Sequence, residues 1–325
     1  MNTYKICFYS MFNRGEFHME RPYFEPFNTE VVIIDEKSED DFVSQLEDID
    51  ILIVANNVIT PEHIRMMKKC KIIARQGVGV DNIATKEAAA AGIAVCNVPG
   101  GSVDEVSDHS IALFLSLARN IPFYSQHIKV NQIWDHQSMP PMKRFNEMQL
   151  FLIGFGQIGQ LVAKKAEALF GEITIYDPCI SHDQAKQLGV KKIDNIEVGL
   201  KTADIVSLHL PFKEELTHII NSKTLKCMKP EAFLVNMARG AHVDTDALNE
   251  ALDQDVIAGA ALDVIENELK TEKGDFSHPI YKNPKVIFTP HVGWYGINSR
   301  KKARIVAADA VVDFMQGKTP RNQVN

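Results

Sequence analysis

The sequence predicts an α/β protein of two domains, each built on an open, doubly wound parallel sheet. Three observations carry this. Short apolar, β-branched runs alternate with helical segments, the alternation breaks near residue 100 and restarts near 150, and the restart holds three closely spaced glycines between a strand and a helix. At 325 residues the chain also exceeds one ordinary core, since domains of roughly 100–200 residues are the rule. With 45% hydrophobic and 24% charged residues, its composition is that of a folded globular protein.

Taken in order, the first set comprises "KICFYS", "TEVVIID", "DILIVA", "KIIARQ" and "IAVCNV", with helical segments at 39–48, 61–69 and 85–91 between them. The opening "MNTYKICFYSMFNRGE" is interrupted too early for a signal peptide and reads as the first strand. In "GGSVDEVSDHSIALFLSLARNI", Ser102 and Glu105 have capping-box spacing at the start of a helix that Pro122 should end or kink. That helix carries the chain from one domain to the other. Its apolar part, "SIALFLSLA", falls far short of the ~20 residues that span a bilayer. Residues 130–149, with "MPPMKRF", lack periodicity and read as an exposed excursion. The second set gives six strands: "LFLIGFG", "EITIYD", "DIVSLHL", "AFLVNMA", "IAGAALDV" and "KVIFTPH". Finally, "SRKKARIVAADAVVDFMQG" is an amphipathic helix expected to return to the first domain, because chain termini often lie close together.

Charge and cysteines narrow the function. A formal charge of −7 without a basic run gives no footprint for nucleic acid or anionic lipid. The cysteines Cys7, Cys70, Cys96, Cys179 and Cys227 are odd in number and form no C-x-x-C pair, which argues against a disulfide framework and a zinc site and fits a reducing cytoplasm. No metal-ligand set has sensible spacing.

The stretch "LFLIGFGQIGQLVAKKAEALFGEITIYDP" places Gly154, Gly156 and Gly159 between strand and helix, with Gln157 and Ile158 opening the helix. Gly154 permits the tight turn, Gly156 lets a pyrophosphate approach the backbone, and Gly159 allows close helix–strand packing. The helix N-terminus offers N–H groups and a positive dipole end to phosphates. Asp177 closes the next strand, where its carboxylate can accept from a ribose diol. No Arg or Lys follows among Pro178, Cys179 and Ile180 to pair with a 2′-phosphate, so NAD is favoured over NADP. The plainer alternative is an Asp that caps a turn.

Ligands of open parallel sheets bind outside the carboxyl ends of the strands. There the sequence delivers Arg239 after "AFLVNMA", Asp263 and Glu268 after "IAGAALDV", and His291 after "KVIFTP". Each alone has a mundane reading as a strand-end Arg, a loop acid or a backbone-satisfied His. Together they suit hydride transfer between a nicotinamide and a 2-hydroxy or 2-oxo acid. Arg239 would grip a carboxylate or carbonyl oxygen, His291 would give or take the hydroxyl proton, and Glu268 would orient the imidazole.

With "RQGVGVDNI", "NVPGGSVDEVSDHSIALFLSLAR", "IGFGQIG", "HLPFKEELTHIINSKTLKCMKP", "VNMARG", "ALDVIENE" and "TPHVGW", the chain resembles the D-isomer-specific 2-hydroxyacid dehydrogenase family almost from end to end. The resemblance implies a Rossmann NAD-binding domain, 99–294, inserted into a flavodoxin-like substrate-binding (catalytic) domain, 1–98 completed by 295–325. It implies Arg239, Glu268 and His291 as the catalytic three, Asp263 at the nicotinamide carboxamide, and His209 and Thr217 near the cofactor. Backbone groups around Val78 and Gly79 would meet the substrate carboxylate, and the helix near 102–120 would help form a two-fold homodimer. "DEVSDH" with the later "HVGWY" is most similar to the branch of the C-terminal-binding proteins, in which Arg75 and Trp294 would face the substrate.

The sequence departs from the family pattern at Leu269, usually Pro, at Phe151, usually Gly, and at Met237, often Thr or Ser. Glu268 stands where formate dehydrogenases usually carry Gln, which disfavours that activity. "IVANNVIT" lacks the Arg-Ser pair usual in phosphoglycerate dehydrogenases. The expectation is therefore a cytoplasmic NAD-dependent dehydrogenase of a small D-2-hydroxy acid. The alternatives are a D-3-phosphoglycerate dehydrogenase of serine biosynthesis and an NAD(H)-sensing, corepressor-like binding protein.

Overall fold

The computed structural model describes residues 3–10, 18–268 and 276–325, and Leu269 lies outside them. The chain divides into two compact units, Met1–Ser102 with Tyr295–Asn325, and Val103–Trp294.

The first unit follows the alternation read from the sequence. Strands β1 (Tyr4–Tyr9), β2 (Thr29–Ile34), β3 (Ile51–Val54), β4 (Ile72–Arg75) and β5 (Ala94–Cys96) are separated by helices α1 (Arg21–Phe24), α2 (Glu39–Gln45), α3 (Pro61–Met66) and α4 (Thr85–Ala90). The sheet is parallel, in the order β2-β1-β3-β4-β5, the doubly wound order of flavodoxin-like folds. Apolar side chains emerge on both faces because both are covered. Cys7, Tyr9, Leu52, Val54, Ile73 and Val95 pack on one side with Phe42, Ile64 and Ala88 from α2, α3 and α4. Ile6, Phe8, Ile51, Ile53, Ile72 and Ala74 pack on the other with the C-terminal helix described below. This double burial explains why β3 reads as an unbroken Ile-Leu-Ile-Val run rather than an alternation. Each such side chain contributes about 1.5–3 kcal/mol.

The second unit opens with α5 (Val103–Ala118) and α6 (Ile121–Asn131). The two are separated by Asn120 in the left-handed region, and Pro122 sits in the first turn of α6, where its missing N–H costs nothing. Residues 132–148 hold only two short 3-10 turns. Strands β6 (Gln149–Ile153), β7 (Glu172–Tyr176), β8 (Lys191–Lys192), β9 (Ile205–Leu208), β10 (Phe233–Asn236), β11 (Gly259–Leu262) and β12 (Val286–Phe288) then form one parallel sheet. Helices α7 (Gln157–Ala166), α8 (His182–Gln187), α9 (Ile196–Thr202), α10 (Ser222–Leu225) and α11 (Thr245–Asp253) connect them. The order β12-β11-β10-β9-β6-β7-β8 is the six-strand dinucleotide-binding order with one further strand at its edge. The further edge strand is β12. Among the described residues seven strands therefore stand where the sequence suggested six, and the one not read from it is β8, two lysines with no apolar pattern to announce them. After this unit, α12 (Ile297–Met315) packs Ala307, Ala308, Ala310, Val311 and Met315 within the first unit, and its Arg304 makes a buried two-point ion pair with Glu20.

Two departures from the family pattern have local explanations. Phe151 lies fully buried in β6, and a Cβ on Gly199 of α9 would stand 2.3 Å from its ring, so the glycine makes room for the aromatic. Met237 is buried beside Gly293, whose Cβ would meet the methionine Cε at 2.7 Å.

Candidate active site

Across the carboxyl edge of the second unit's sheet, candidate groups emerge from successive strands. His291 follows β12, Asp263 and Glu268 follow β11, Arg239 follows β10, His209 follows β9, the glycine loop follows β6 and Asp177 follows β7. From β6 to β12 is four strand spacings, or roughly 19 Å at ~4.8 Å each. That span suits an extended dinucleotide.

The glycine loop has the geometry its sequence requires. Gly154 adopts φ 91°, and a Cβ there would meet the His209 carbonyl oxygen at 2.5 Å. At Gly159 a Cβ would meet the Gly154 oxygen at 2.5 Å, which fixes how closely α7 approaches the strand end. Gly156 differs, since a Cβ there would meet nothing within 4 Å. No atom of the described residues demands glycine at 156, and the space in front of it would admit a phosphate. Gly156 is also the N-cap of α7 and gives the helix no side-chain cap. Gln157 is exposed in the first turn, while Ile158 packs on the core. Uncapped N–H groups and clear space fit a dinucleotide pyrophosphate.

Asp177 accepts the Phe155 N–H at 2.7 Å through Oδ2 and the Cys179 N–H at 2.8 Å through Oδ1. The carboxylate thus fastens the glycine loop to the end of β7. Each oxygen retains a lone pair for a ribose hydroxyl.

At the other end, His291 Nδ1 lies 2.8 Å from Glu268 Oε1. The imidazole is 41% exposed, and its Nε2 is the nitrogen left for a substrate. His291 is held at φ 51°, a left-handed conformation disfavoured for a residue with a Cβ, by bonds from its N–H to Asp263 O at 2.7 Å and Thr289 O at 2.9 Å. Asp263 is buried, and its carboxylate takes the Thr289 hydroxyl at 2.6 Å and the Val292 and Gly293 N–H groups at 2.9 Å each. These bonds hold the loop carrying His291, so most of the Asp263 carboxylate is occupied within the protein. His109 of α5, Nε2 3.0 Å from Thr289 Oγ1 and 3.7 Å from Asp263 Oδ1, joins this network. The sequence reading passed over His109, although Asp108-His109 lies inside a quoted motif; nothing in a helical pattern separates an inward polar residue from a surface one.

Arg239 is half-buried at the end of β10. Asn236 Nδ2 donates to its carbonyl at 2.8 Å, and its Nη1 donates to the Ala238 carbonyl at 2.8 Å. Next to it, His242 is fully buried, and among the described residues neither ring nitrogen has a hydrogen-bond partner. Burial and the positive charge of Arg239 push its imidazole down to about 4. His209 shows the same effect: burial pushes it down to about 3, with Ser207 Oγ 3.0 Å from its Nε2. Both rings are neutral at pH 7. Thr217 is exposed at the end of a 3-10 turn after β9. Trp294 packs on the core of the second unit.

Arg75, Val78 and Gly79 belong to the first unit. The Arg75 side chain folds over Gly77, where a Cβ would collide with Nη1, and Nη2 lies 3.4 Å from Asn56 Oδ1. The Val78 carbonyl accepts from Asn97 Nδ2 at 2.7 Å, and among the described residues the N–H groups of Val78 and Gly79 have no partner. Two adjacent free donors suit an anionic oxygen.

Comparison with known proteins places these features in context. Residues 111–293 match the family model described as D-isomer specific 2-hydroxyacid dehydrogenase, NAD binding domain. A D-3-phosphoglycerate dehydrogenase of Methanocaldococcus jannaschii is 35% identical over 302 residues, covering 91% of this chain but only 55% of that protein, so the chain spans about half the length of that relative. A glyoxylate reductase of Thermococcus litoralis is 34% identical over 289 residues, 87% of this chain and 86% of the other. Among solved structures, a D-lactate dehydrogenase from Aquifex aeolicus complexed with NAD and lactic acid superposes with a TM-score of 0.85 at 27% identity, covering 96% of each chain.

Proposed function

The chain belongs to the NAD-dependent D-isomer-specific 2-hydroxyacid dehydrogenase family, and we propose that it interconverts a small D-2-hydroxy acid and its 2-oxo acid. The observation that carries the reading is the hydrogen bond of 2.8 Å between His291 and Glu268, set two strands from the Arg239 strand at one sheet edge. The nicotinamide, when bound, supplies or accepts the hydride.

The protein's own groups do the rest. Arg239, a fixed cation at a strand end, binds the carboxylate or the carbonyl oxygen whose charge grows during reduction. His291 Nε2 delivers the proton to that oxygen in reduction and removes it in oxidation. Glu268 keeps Nδ1 engaged and so fixes the direction in which Nε2 points. We assign the pyrophosphate to Gly154, Gly156, Gln157, Ile158 and Gly159, the ribose to Asp177, and further cofactor contacts to His209, Thr217 and Asp263. The resemblance adds Arg75, Val78, Gly79 and Trp294 as substrate contacts and 1–98 with 295–325 as the substrate-binding domain. The free Val78 and Gly79 donors support the first part of that addition.

Two finer readings belong to the same proposal. The protein acts as a homodimer: α5 buries seven of its sixteen residues, whereas α6 buries none, and Ile121, Ile128 and Val130 on α6 are exposed together with Ile133 and Trp134 just after it. An apolar patch of this kind marks an interaction surface. The protein works in the cytoplasm, a reading supported by five free cysteines; among the described residues no helix is long and apolar enough to cross a membrane.

Turnover of NADH with glyoxylate, unbranched 2-oxo acids and 3-phosphohydroxypyruvate tests the reading. Reduction of the non-phosphorylated acids supports it. Preference for the phosphorylated acid by an order of magnitude assigns the phosphoglycerate activity instead, and NADH binding without turnover on any acid assigns a sensor.

A further inference from the structure

We propose that His218 and Glu266 form a latch that positions Glu268, tying the loop after β9 to the turn that aims Glu268 at His291. This rests on the catalytic reading above and assigns two positioning residues to it.

The geometry begins at the turn Ile265–Glu268, which closes with the Glu268 N–H on the Ile265 carbonyl at 3.2 Å. Asn267, in its middle, has φ 58°. The two carboxylates flanking Asn267 serve different partners. Glu268 Oε1 meets His291, while Glu266 Oε1 lies 2.6 Å from His218 Nε2 and its Oε2 accepts the Thr245 N–H at 2.9 Å, at the start of α11. The turn is therefore held through Glu266 by His218 and Thr245, while Glu268 two residues on meets His291. Any loosening of the first carboxylate moves the second.

His218 is itself fixed. It adopts φ 53°, its N–H donates to the Ala241 carbonyl at 2.8 Å, and its carbonyl accepts from Asn221 Nδ2 at 2.8 Å. Its other ring nitrogen stands 4.0 Å from Asp244 Oδ2, the residue that caps α11. A second contact brings in Arg239: a Cβ on Gly240 would lie 2.1 Å from the Ile265 carbonyl oxygen, so the backbone after Arg239 rests against the same turn. Two residues held at left-handed φ persist only where the surroundings over-determine them. The charges agree with this arrangement. The hydrogen bond to Glu266 raises the His218 imidazole above its ordinary value, with Asp244 adding to it. Burial pushes the Glu266 carboxyl up, but the bonds from His218 and Thr245 outweigh it and hold it below. An exposed ion pair alone would have little effect; here the pair carries a backbone N–H and the catalytic turn.

The test compares full-length wild type, Glu266→Gln, His218→Gln, the double variant and His291→Ala for kcat, KM and NADH affinity in reduction of a 2-oxo acid. We expect each single variant to lose about ten- to a hundredfold in kcat, as misplacement of a catalytic group does, with NADH affinity within about twofold. The double variant should lose no more than the worse single one, because both break one latch. The latch is overturned if both single variants keep wild-type kcat while His291→Ala is inactive, or if the two losses multiply. An active His291→Ala overturns the catalytic reading itself, a distinguishable result. Should Glu266→Gln fail to fold, His218→Gln, whose side chain is 41% exposed, carries the same comparison.

Discussion

Asp177 has two tasks, and they predict different results for one substitution. Its carboxylate receives two backbone N–H groups, and in the proposed reading it also meets the ribose 2′-position, where no cation follows in sequence. We expect NADH to give at least about tenfold higher kcat/KM than NADPH, a difference of ~1.4 kcal/mol. Asp177→Ala should narrow that ratio while lowering both values, because the glycine loop loses its tether. An unchanged ratio would mean that another residue reads the ribose. His242 makes a second prediction. Its pKa falls from an ordinary 6.5 to about 4 through burial and Arg239, so the unfolded state takes up the proton more readily. Its contribution to stability is therefore complete above pH 6.5 and is lost as pH falls toward 4. The fall in Tm between pH 7 and pH 5 should be smaller in His242→Asn than in wild type, and an equal fall would contradict the assignment. These tasks were only partly legible. A strand-end carboxylate shows in sequence, but how much of it its own loop engages, as residues 289–293 engage Asp263, depends on folding that brings those residues back to it.

Elements that were apolar and regular could be read directly, and those that depend on a distant partner could not. The runs at β3, β6 and β10 announced themselves because both faces are buried. β8 did not, since two lysines form a strand only because β7 offers a free edge. The pairing of Phe151 with Gly199 was equally hidden, joining β6 to α9 across 48 positions. It yields a prediction at this scale. Gly199→Ala should gain about 1 kcal/mol of helix propensity yet destabilise the protein by about 1–3 kcal/mol, because the new methyl overlaps the Phe151 ring. Adding Phe151→Leu should recover most of the loss in denaturant midpoint. Additive losses in the double variant would show that the two sites are not coupled.

For the whole molecule, the sequence indicated two parallel-sheet units and a nucleotide loop, and the comparisons established the family. A docking surface for the proposed second copy is less legible, because an apolar helix looks the same whether its face meets its own core or another chain. α5 meets its own core, and the exposed apolar residues lie on and after α6. Light scattering should therefore give about twice the 36.4 kDa chain mass. Ile128→Asp with Trp134→Asp should shift that mass toward the monomer, and a wild-type monomer at micromolar concentration would remove the dimer from the account. The central claim is that His291, oriented by Glu268, moves the proton at the substrate oxygen. Its most direct test is stopped-flow NADH oxidation by saturating 2-oxo acid in wild type and His291→Ala. The account predicts a loss of about 10²–10⁴-fold in the single-turnover rate with NADH affinity nearly unchanged. A His291→Ala rate within a few-fold of wild type would contradict it.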